Sequence, residues 1–310
     1  MPKEKRTTAQ PKARTSGPTP FLRWAGGKRK LAETIISAFP KSYSPNENNF
    51  FEPFVGGGAL SLHLGNRSHG QYVPGKRLFI NDINPDLVTT YKVIQQDPIL
   101  LMRKLDSMAK NLSKEEFERI RGLRPTNPLA IAARFIYLNK TCFNGLWRVN
   151  NKGEFNVPWA KLKNPLIYNR DNIELVSERL QGATITNRSY TAALSNASES
   201  DLVYLDPPYA PLNQTSSFSK YTKEDFGMLD QFALAGVIDG LTSRGVHVIL
   251  SNSDTPITRK IFGDSLTLHQ MSVTRSISAN SSSRIQVKEI IGVNFNVSSS
   301  SLLRQLRVVS

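Results

Sequence analysis

At 310 residues, with 39% hydrophobic content, the chain is long enough for one large α/β domain, or for one carrying a smaller insertion, between polar ends. A formal net charge of +15 and an isoelectric point near 9.9 point to a polyanionic partner, nucleic acid ahead of a membrane surface. The single cysteine, Cys142, and four scattered histidines exclude an intramolecular disulfide and leave no metal site expected; with no apolar run near the roughly 20 residues of a membrane helix and no signal-type leader, a reducing cytoplasm is expected.

Residues 1–19, rich in Lys, Arg, Thr and Pro, read as a disordered basic tail that either adds phosphate attraction or merely solubilises. Phe21-Leu22-Arg23-Trp24-Ala25-Gly26-Gly27-Lys28 follows. Its Gly-Gly turn either lets backbone approach a ligand or simply leads into the short amphipathic helix predicted over Leu31–Phe39. Phe50 to Leu62 reads as strand, glycine turn and helix start, the first βα unit of a nucleotide-binding sheet. Gly56-Gly57-Gly58 matches neither GxGxxG nor the P-loop, so it is expected to make room for an uncharged part of a ligand rather than a pyrophosphate. Leu78 to Asn84 is a second strand ending in Asp82, which either binds ribose hydroxyls or caps the next helix.

Residues 85–175 break the strand–helix rhythm. Helices are predicted over Asp86–Gln95 and Pro98–Ala109, after a capping box at Ser113–Glu116, and over the apolar run Leu129–Leu138. Asn139 to Trp159 is polar and dotted with glycine, and Asn150–Gly153 has the residues of a hairpin turn. Its Asn, Arg, Lys and aromatic side chains are those that contact base edges and phosphates and stack on bases. The region therefore reads as a mainly helical insertion carrying a hairpin that touches nucleic acid. Strands then resume at Ala183–Thr186, Leu202–Leu205, Val246–Asn252, Leu266–Met271 and Glu289–Asn296. Thr222-Lys223-Glu224-Asp225 is expected to cap a helix running to about Ser243, Ser272–Arg284 to form a flexible loop, and residues 298–310 an untethered basic tail. The expected division is a tail (1–19), a catalytic domain (20–84 and 176–297), an insertion for target recognition (85–175) and a second tail (298–310).

The most telling stretch is Leu202-Val203-Tyr204-Leu205-Asp206-Pro207-Pro208-Tyr209. A buried strand ends on a carboxylate and is stopped by two prolines, which cannot donate to a sheet ladder. This delivers Asp206, two rigid carbonyls and an aromatic ring to the carboxyl edge, where open α/β sheets bind ligands. A carboxylate and a fixed carbonyl can each accept a hydrogen bond from one exocyclic amine, and Tyr209 offers a face for a planar ring. The plainer alternative is a strand followed by a polar turn.

Taken together and in order, Phe21–Lys28, Phe51–Gly58, Asn81–Asn84, Cys142–Pro158 and Asp206–Tyr209 resemble the motifs of Dam-type (D12, or alpha-group) DNA adenine N6-methyltransferases, over roughly residues 20–296. The resemblance implies an α/β fold, the Rossmann-like seven-stranded methyltransferase sheet with a reversed last strand. It implies S-adenosylmethionine as methyl donor, without a metal. Trp24, Lys28, Phe54, Gly56, Gly57, Gly58, Asp82 and Asp206 would then surround the cofactor, and Asp206, Pro207, Pro208 and Tyr209 would be catalytic. Asn144, Leu146, Arg148, Asn150 and Pro158 would contact DNA. In that family the arginine matching Arg148 reads the guanine of GATC, so GATC or a related short palindrome is the expected site. One position departs: after Val157-Pro158-Trp159 the family tends to place an aromatic, and this chain has Ala160-Lys161-Leu162. The implied setting is a monomer acting on double-stranded DNA in the cytoplasm, away from membranes, with any cognate restriction endonuclease forming no stable complex.

Two other readings compete. An RNA methyltransferase could use the same Asp-Pro-Pro-Tyr chemistry, but a small RNA enzyme of this fold would not need the long insertion with its Phe143–Pro158 hairpin. A DNA-binding protein that has lost activity would not need an intact Asp206–Tyr209 or Gly56–Gly58.

Overall fold

The computed structural model describes residues 17–64, 77–209, 226–276, 284–297 and 307–309. At its centre lies β4 (Leu202–Leu205), every residue of which is buried. A run of apolar residues without alternation is what burial on both faces of a parallel sheet demands. β4 runs parallel to β1 (Phe50–Glu52) on one side and to β5 (His247–Ser253) on the other. β2 (Leu78–Asn81) lies parallel beyond β1, and β3 (Thr184–Thr186) beyond β2. On the far side β7 (Arg284–Val293) runs antiparallel between β5 and β6 (Thr267–Ser276), and β8 (Arg307–Val308) adds a two-residue edge to β6. The order is β3-β2-β1-β4-β5-β7-β6-β8, a methyltransferase-like sheet in which the last long strand is reversed.

Helices cover both faces. On one, α3 (Pro85–Gln96), α6 (Pro128–Thr141) and α7 (Arg170–Leu180) bury Tyr91, Phe135 and Val176 in one cluster with Phe50, Ile80 and Tyr204 of the sheet. Leu101 and Leu105 of α4 (Pro98–Met108) and Phe117 of α5 (Lys114–Gly122) join the same cluster, so these helices share the core of the sheet. On the other face α9 (Met228–Ser243) and α10 (Pro256–Phe262) bury Leu234, Ile238 and Phe262 against Val203, Leu205 and Val248. Local signals set the helix starts: Asn84 and Asn127 each cap a helix whose first residue is proline, and Ser113 accepts from the Glu116 N–H at 3.1 Å.

Three stretches differ from expectation. Ser272–Ser276, expected in a loop, continue β6, because ladder bonds to residues 284–288 satisfy the backbone whatever the side chains' polarity. At the chain's end, residues 307–308 pair with β6. Residues 17–19 are packed, with the Thr19 backbone N–H and carbonyl both bonded to the Asn172 side chain at 2.9 Å. The expected cap at Thr222–Asp225 lies outside the described residues, and α9 begins at Met228, where Asp230 accepts the Gly227 N–H at 2.7 Å. Among the described residues no helix is long and apolar enough to cross a membrane.

Candidate active site

β1 and β4 are neighbours, yet the chain leaving β1 turns away to β2 on the opposite side. That reversal opens a crevice at the carboxyl edge. The residues that follow β2, β1 and β4, namely Asp82, Gly56–Gly58 and Asp206, therefore stand side by side. Lys28, only 4% exposed, reaches the edge from the N-terminal segment; its Nζ lies 2.7 Å from Asp206 Oδ1 and donates to the Gly26 carbonyl at 3.0 Å. The same ammonium sits 4.8 Å from the centre of the Tyr209 ring, a cation–π distance. One lysine thus ties the glycine segment, the carboxylate and the aromatic ring together.

The glycine turn has an internal explanation. Gly56 and Gly58 have φ of +46° and +68°, a region that side chains other than glycine rarely adopt. A Cβ on Gly56 would stand 2.6 Å from Nε1 of Trp24, and one on Gly58 2.5 Å from the Tyr91 hydroxyl. At these two positions the space that a Cβ would fill is taken by the protein's own Trp24 and Tyr91. The Tyr91 hydroxyl also donates to the Gly56 carbonyl at 3.0 Å, holding the turn from below. Phe54 packs against Tyr190 and Phe226 at centroid distances of 5.3 and 5.8 Å.

Asp82 accepts from the Gly56 N–H at 3.0 Å and the Asn84 N–H at 2.9 Å, so it ties the second strand end to the first. The helix cap is Asn84, not Asp82. Asp82 keeps an open side toward the edge, yet burial outweighs its backbone donors and raises its carboxyl to about 6. Beneath the turn, Glu52 is 3% exposed and accepts from both the backbone N–H, at 3.0 Å, and the hydroxyl of Ser61. Burial first, then the nearby Asp206 charge, push Glu52 up to about 8 against the bonds from Ser61.

The predicted hairpin is present, with bridges at Val149–Phe155 and Cys142–Trp159. Its aromatic residues are anchors. Trp147 and Phe155 are buried, 4.8 Å apart, and Trp147 packs 3.8 Å from Phe135 of α6. Trp159 lies against Phe117 at 5.3 Å. Base stacking, which the sequence suggested for these rings, does not suit buried ones; Phe143 is the exposed aromatic of the hairpin. Arg148 is half-buried, its Nε donating to Asn156 Oδ1 at 2.8 Å. Asn150 folds its carbonyl onto the N–H groups of Lys152 and Glu154, so its side chain is spent on the turn. Asn144, with φ of +54°, Leu146 and Pro158 are exposed, and the Pro158 carbonyl accepts the Phe143 N–H at 2.9 Å. The hairpin site residues and the Asp206 edge are joined through Asn139, which is fully buried; it bonds both backbone groups of Arg23 and the Gly145 carbonyl.

Residues 24–277 match the family described as D12 class N6 adenine-specific DNA methyltransferase. The chain belongs to this family. It is 38% identical, over 89% of its length and 95% of the relative's, to the type II methyltransferase M1.LlaDCHI of Lactococcus lactis subsp. cremoris. It is 40% identical to the type II methyltransferase M.MjaIII of Methanocaldococcus jannaschii, over 76% of this chain and 84% of the other. To the DNA adenine methylase of Escherichia coli K12 it is 33% identical, over 88% and 94%. The protein is therefore an adenine-specific DNA methyltransferase, and neither an RNA methyltransferase nor an inactive DNA-binding protein describes it.

Several residues of this methyltransferase site were not singled out as functional by the sequence. Asn139 ends an apolar helix, and Asn81 takes the Thr186 hydroxyl and Arg188 N–H while donating to the Pro53 and Arg188 carbonyls. Glu52 and Asn252 lie at strand ends much as Asp82 and Asp206 do, but are buried. Residues 210–221, a polar stretch without periodicity, lie outside the described residues, and among the described residues no group of three or more His, Cys, Asp or Glu could hold a metal.

Proposed function

We propose that this methyltransferase takes its methyl group from S-adenosylmethionine and delivers it to N6 of an adenine flipped out of duplex DNA, at GATC or a related short palindrome. The observation that carries the reading is the Lys28–Asp206–Tyr209 cluster at the switch point, with Asp82 beside it. The residues suit such a cofactor. Asp82, anchored by two backbone N–H groups, can receive a pair of ribose hydroxyls, and the adjacent Ile83 is 53% exposed, an apolar surface for an adenine ring. Lys28 and Asp206 offer opposite charges to an amino-acid end. When bound, the cofactor supplies a methyl already activated on a sulfonium.

What remains for the chain is to make the adenine amine a nucleophile. Its lone pair is delocalised into the ring. The Asp206 carboxylate, steadied by Lys28, and the Pro207 carbonyl accept its N–H groups and favour the tetrahedral nitrogen of the transition state. That is preorganised electrostatic stabilisation of a developing positive charge. In-line attack also requires that base and methyl be held together. Flipping the base costs a few kcal/mol, which stacking on Tyr209 offsets in part. The hairpin supports the specificity: Arg148 is half-buried and held through Nε by Asn156, and the two terminal nitrogens of a guanidinium can donate in parallel to a guanine edge. A monomer working in the cytoplasm suffices for this chemistry.

The test is mass spectrometry of unmethylated DNA incubated with the enzyme and isotope-labelled S-adenosylmethionine, followed by sequencing of modified positions. N6-methyladenine at one short palindrome is expected, and Asp206→Ala should abolish it while leaving the chain folded. Label on cytosine, or transfer by Asp206→Ala at the wild-type rate, would overturn the reading.

A further inference from the structure

We infer that Gln231 and Asn252 are positioning residues for methyl transfer, acting through the carbonyl of Pro208. The inference rests on reading the Asp206–Tyr209 turn as the place where the adenine amine is bound. Both side chains are fully buried, Gln231 in the first turn of α9 and Asn252 near the end of β5. Three hydrogen bonds link them. The Ser253 N–H donates to Asn252 Oδ1 at 2.8 Å, Asn252 Nδ2 to Gln231 Oε1 at 3.1 Å, and Gln231 Nε2 to the Pro208 carbonyl at 2.9 Å.

The direction of this chain is fixed at both ends. A primary amide has one donating and one accepting side, and either could face a neighbour. A backbone N–H can only donate, so Asn252 must turn its oxygen to Ser253 and its nitrogen to Gln231. A backbone carbonyl can only accept, so Gln231 must turn its nitrogen to Pro208. The two requirements agree, and both amides are locked in one orientation.

The point of attachment governs a soft torsion of the turn. Both proline rings fix their own φ. Asp206 and Pro207 each precede a proline, which restricts them to extended conformations. Pro208 precedes Tyr209, so rotation about its ψ is limited by neither ring, and that rotation swings the Tyr209 plane relative to Asp206. A hydrogen bond to the Pro208 carbonyl stops it. Pro208 and Gln231 also lie on either side of residues 210–225 in the chain, so the bond fixes the turn independently of that segment.

The test compares the wild type with Gln231→Met, which keeps the volume and removes the donor, and with Asn252→Asp, which keeps the shape. In Asn252→Asp the new carboxylate would still accept the Ser253 N–H but has nothing to donate, so the Gln231 amide reverses and sets its oxygen against the Pro208 carbonyl. Single-turnover methylation of unmethylated bacterial genomic DNA should fall about 10- to 100-fold in each variant, the scale of a misplacement of about 1 Å. Binding of S-adenosylmethionine by calorimetry should stay unchanged. The double variant should be no slower than the slower single, because Asn252 acts only through Gln231. Wild-type rates in Gln231→Met, losses that multiply in the double variant, or a loss matched by weaker cofactor binding and a lower Tm would each overturn the inference. So would failure of both single variants to fold, which would make the pair a folding device. A wild type that forms no N6-methyladenine would instead sink the underlying reading of the turn.

Discussion

Glu52 and Asp206 end neighbouring strands, and their surroundings give them opposite tasks. Glu52 is sealed beneath the glycine turn and raised to about 8, so near neutral pH the folded state holds its proton where the unfolded chain does not. The folded state then binds more protons than the unfolded one between about pH 4.5 and 8, and stability falls as pH rises through that window. Glu52→Gln should flatten this dependence, seen as urea midpoints that change less from about pH 5 to about 8 than in the wild type. Asp206 faces the edge with Lys28 on one oxygen. Asp206→Asn keeps the shape but replaces half the acceptor with a donor and leaves Lys28 without its counter-charge; single-turnover methylation should drop by orders of magnitude in a chain that still folds, with a lower Tm from the unpaired lysine. Arg148 separates two roles. As a guanine reader, its replacement by Ala should lose roughly 1–3 kcal/mol of discrimination at one base position, measured against single-base variants of the preferred site. As a phosphate clamp, the loss would be uniform across variants and the salt slope would fall by about one unit.

The glycine turn between β1 and α2 (Ala59–His63) shows an element shaped by its neighbours. Gly58→Ala forces a left-handed alanine, costing roughly 1–2 kcal/mol, and drives its methyl into the Tyr91 hydroxyl. The Gly58→Ala variant should lose that much stability or more in urea unfolding. Adding Tyr91→Phe should recover only part of it, since it relieves the clash but also deletes the bond to the Gly56 carbonyl. The turn was legible from its three glycines and the strand before them, but its reason was not, because Trp24 and Tyr91 are brought there by tertiary packing. The hairpin gives the same lesson. Asn150–Gly153 declared the turn, while the burial of Trp147 and Phe155 against Phe135 depends on α6, whose contacts no local pattern records.

Across the whole molecule, a charge of +15 should make DNA binding release counterions, with log K falling by about 0.9 per phosphate neutralised for each unit of log salt. Nonspecific binding followed by fluorescence anisotropy should therefore weaken steeply with salt. Deleting residues 1–16 should lower the slope modestly and leave site choice unchanged; the cut stops there because Thr19 is bonded to Asn172. A flat salt response would contradict a phosphate-driven interface. The sequence by itself determined the strand ends that carry Asp82 and Asp206, the αβ alternation around them and the polyanionic partner, because a buried strand, a proline stop and a net charge are written in neighbouring residues or in composition. Only the tertiary structure decided that Lys28 meets Asp206 across 178 positions, that Asn139 ties the Trp24 segment to the hairpin, and that residues 307–308 pair with β6. Those pairings satisfy buried polar groups and strand edges with whatever the fold brings near, and nearness in space has no signature in nearness along the chain.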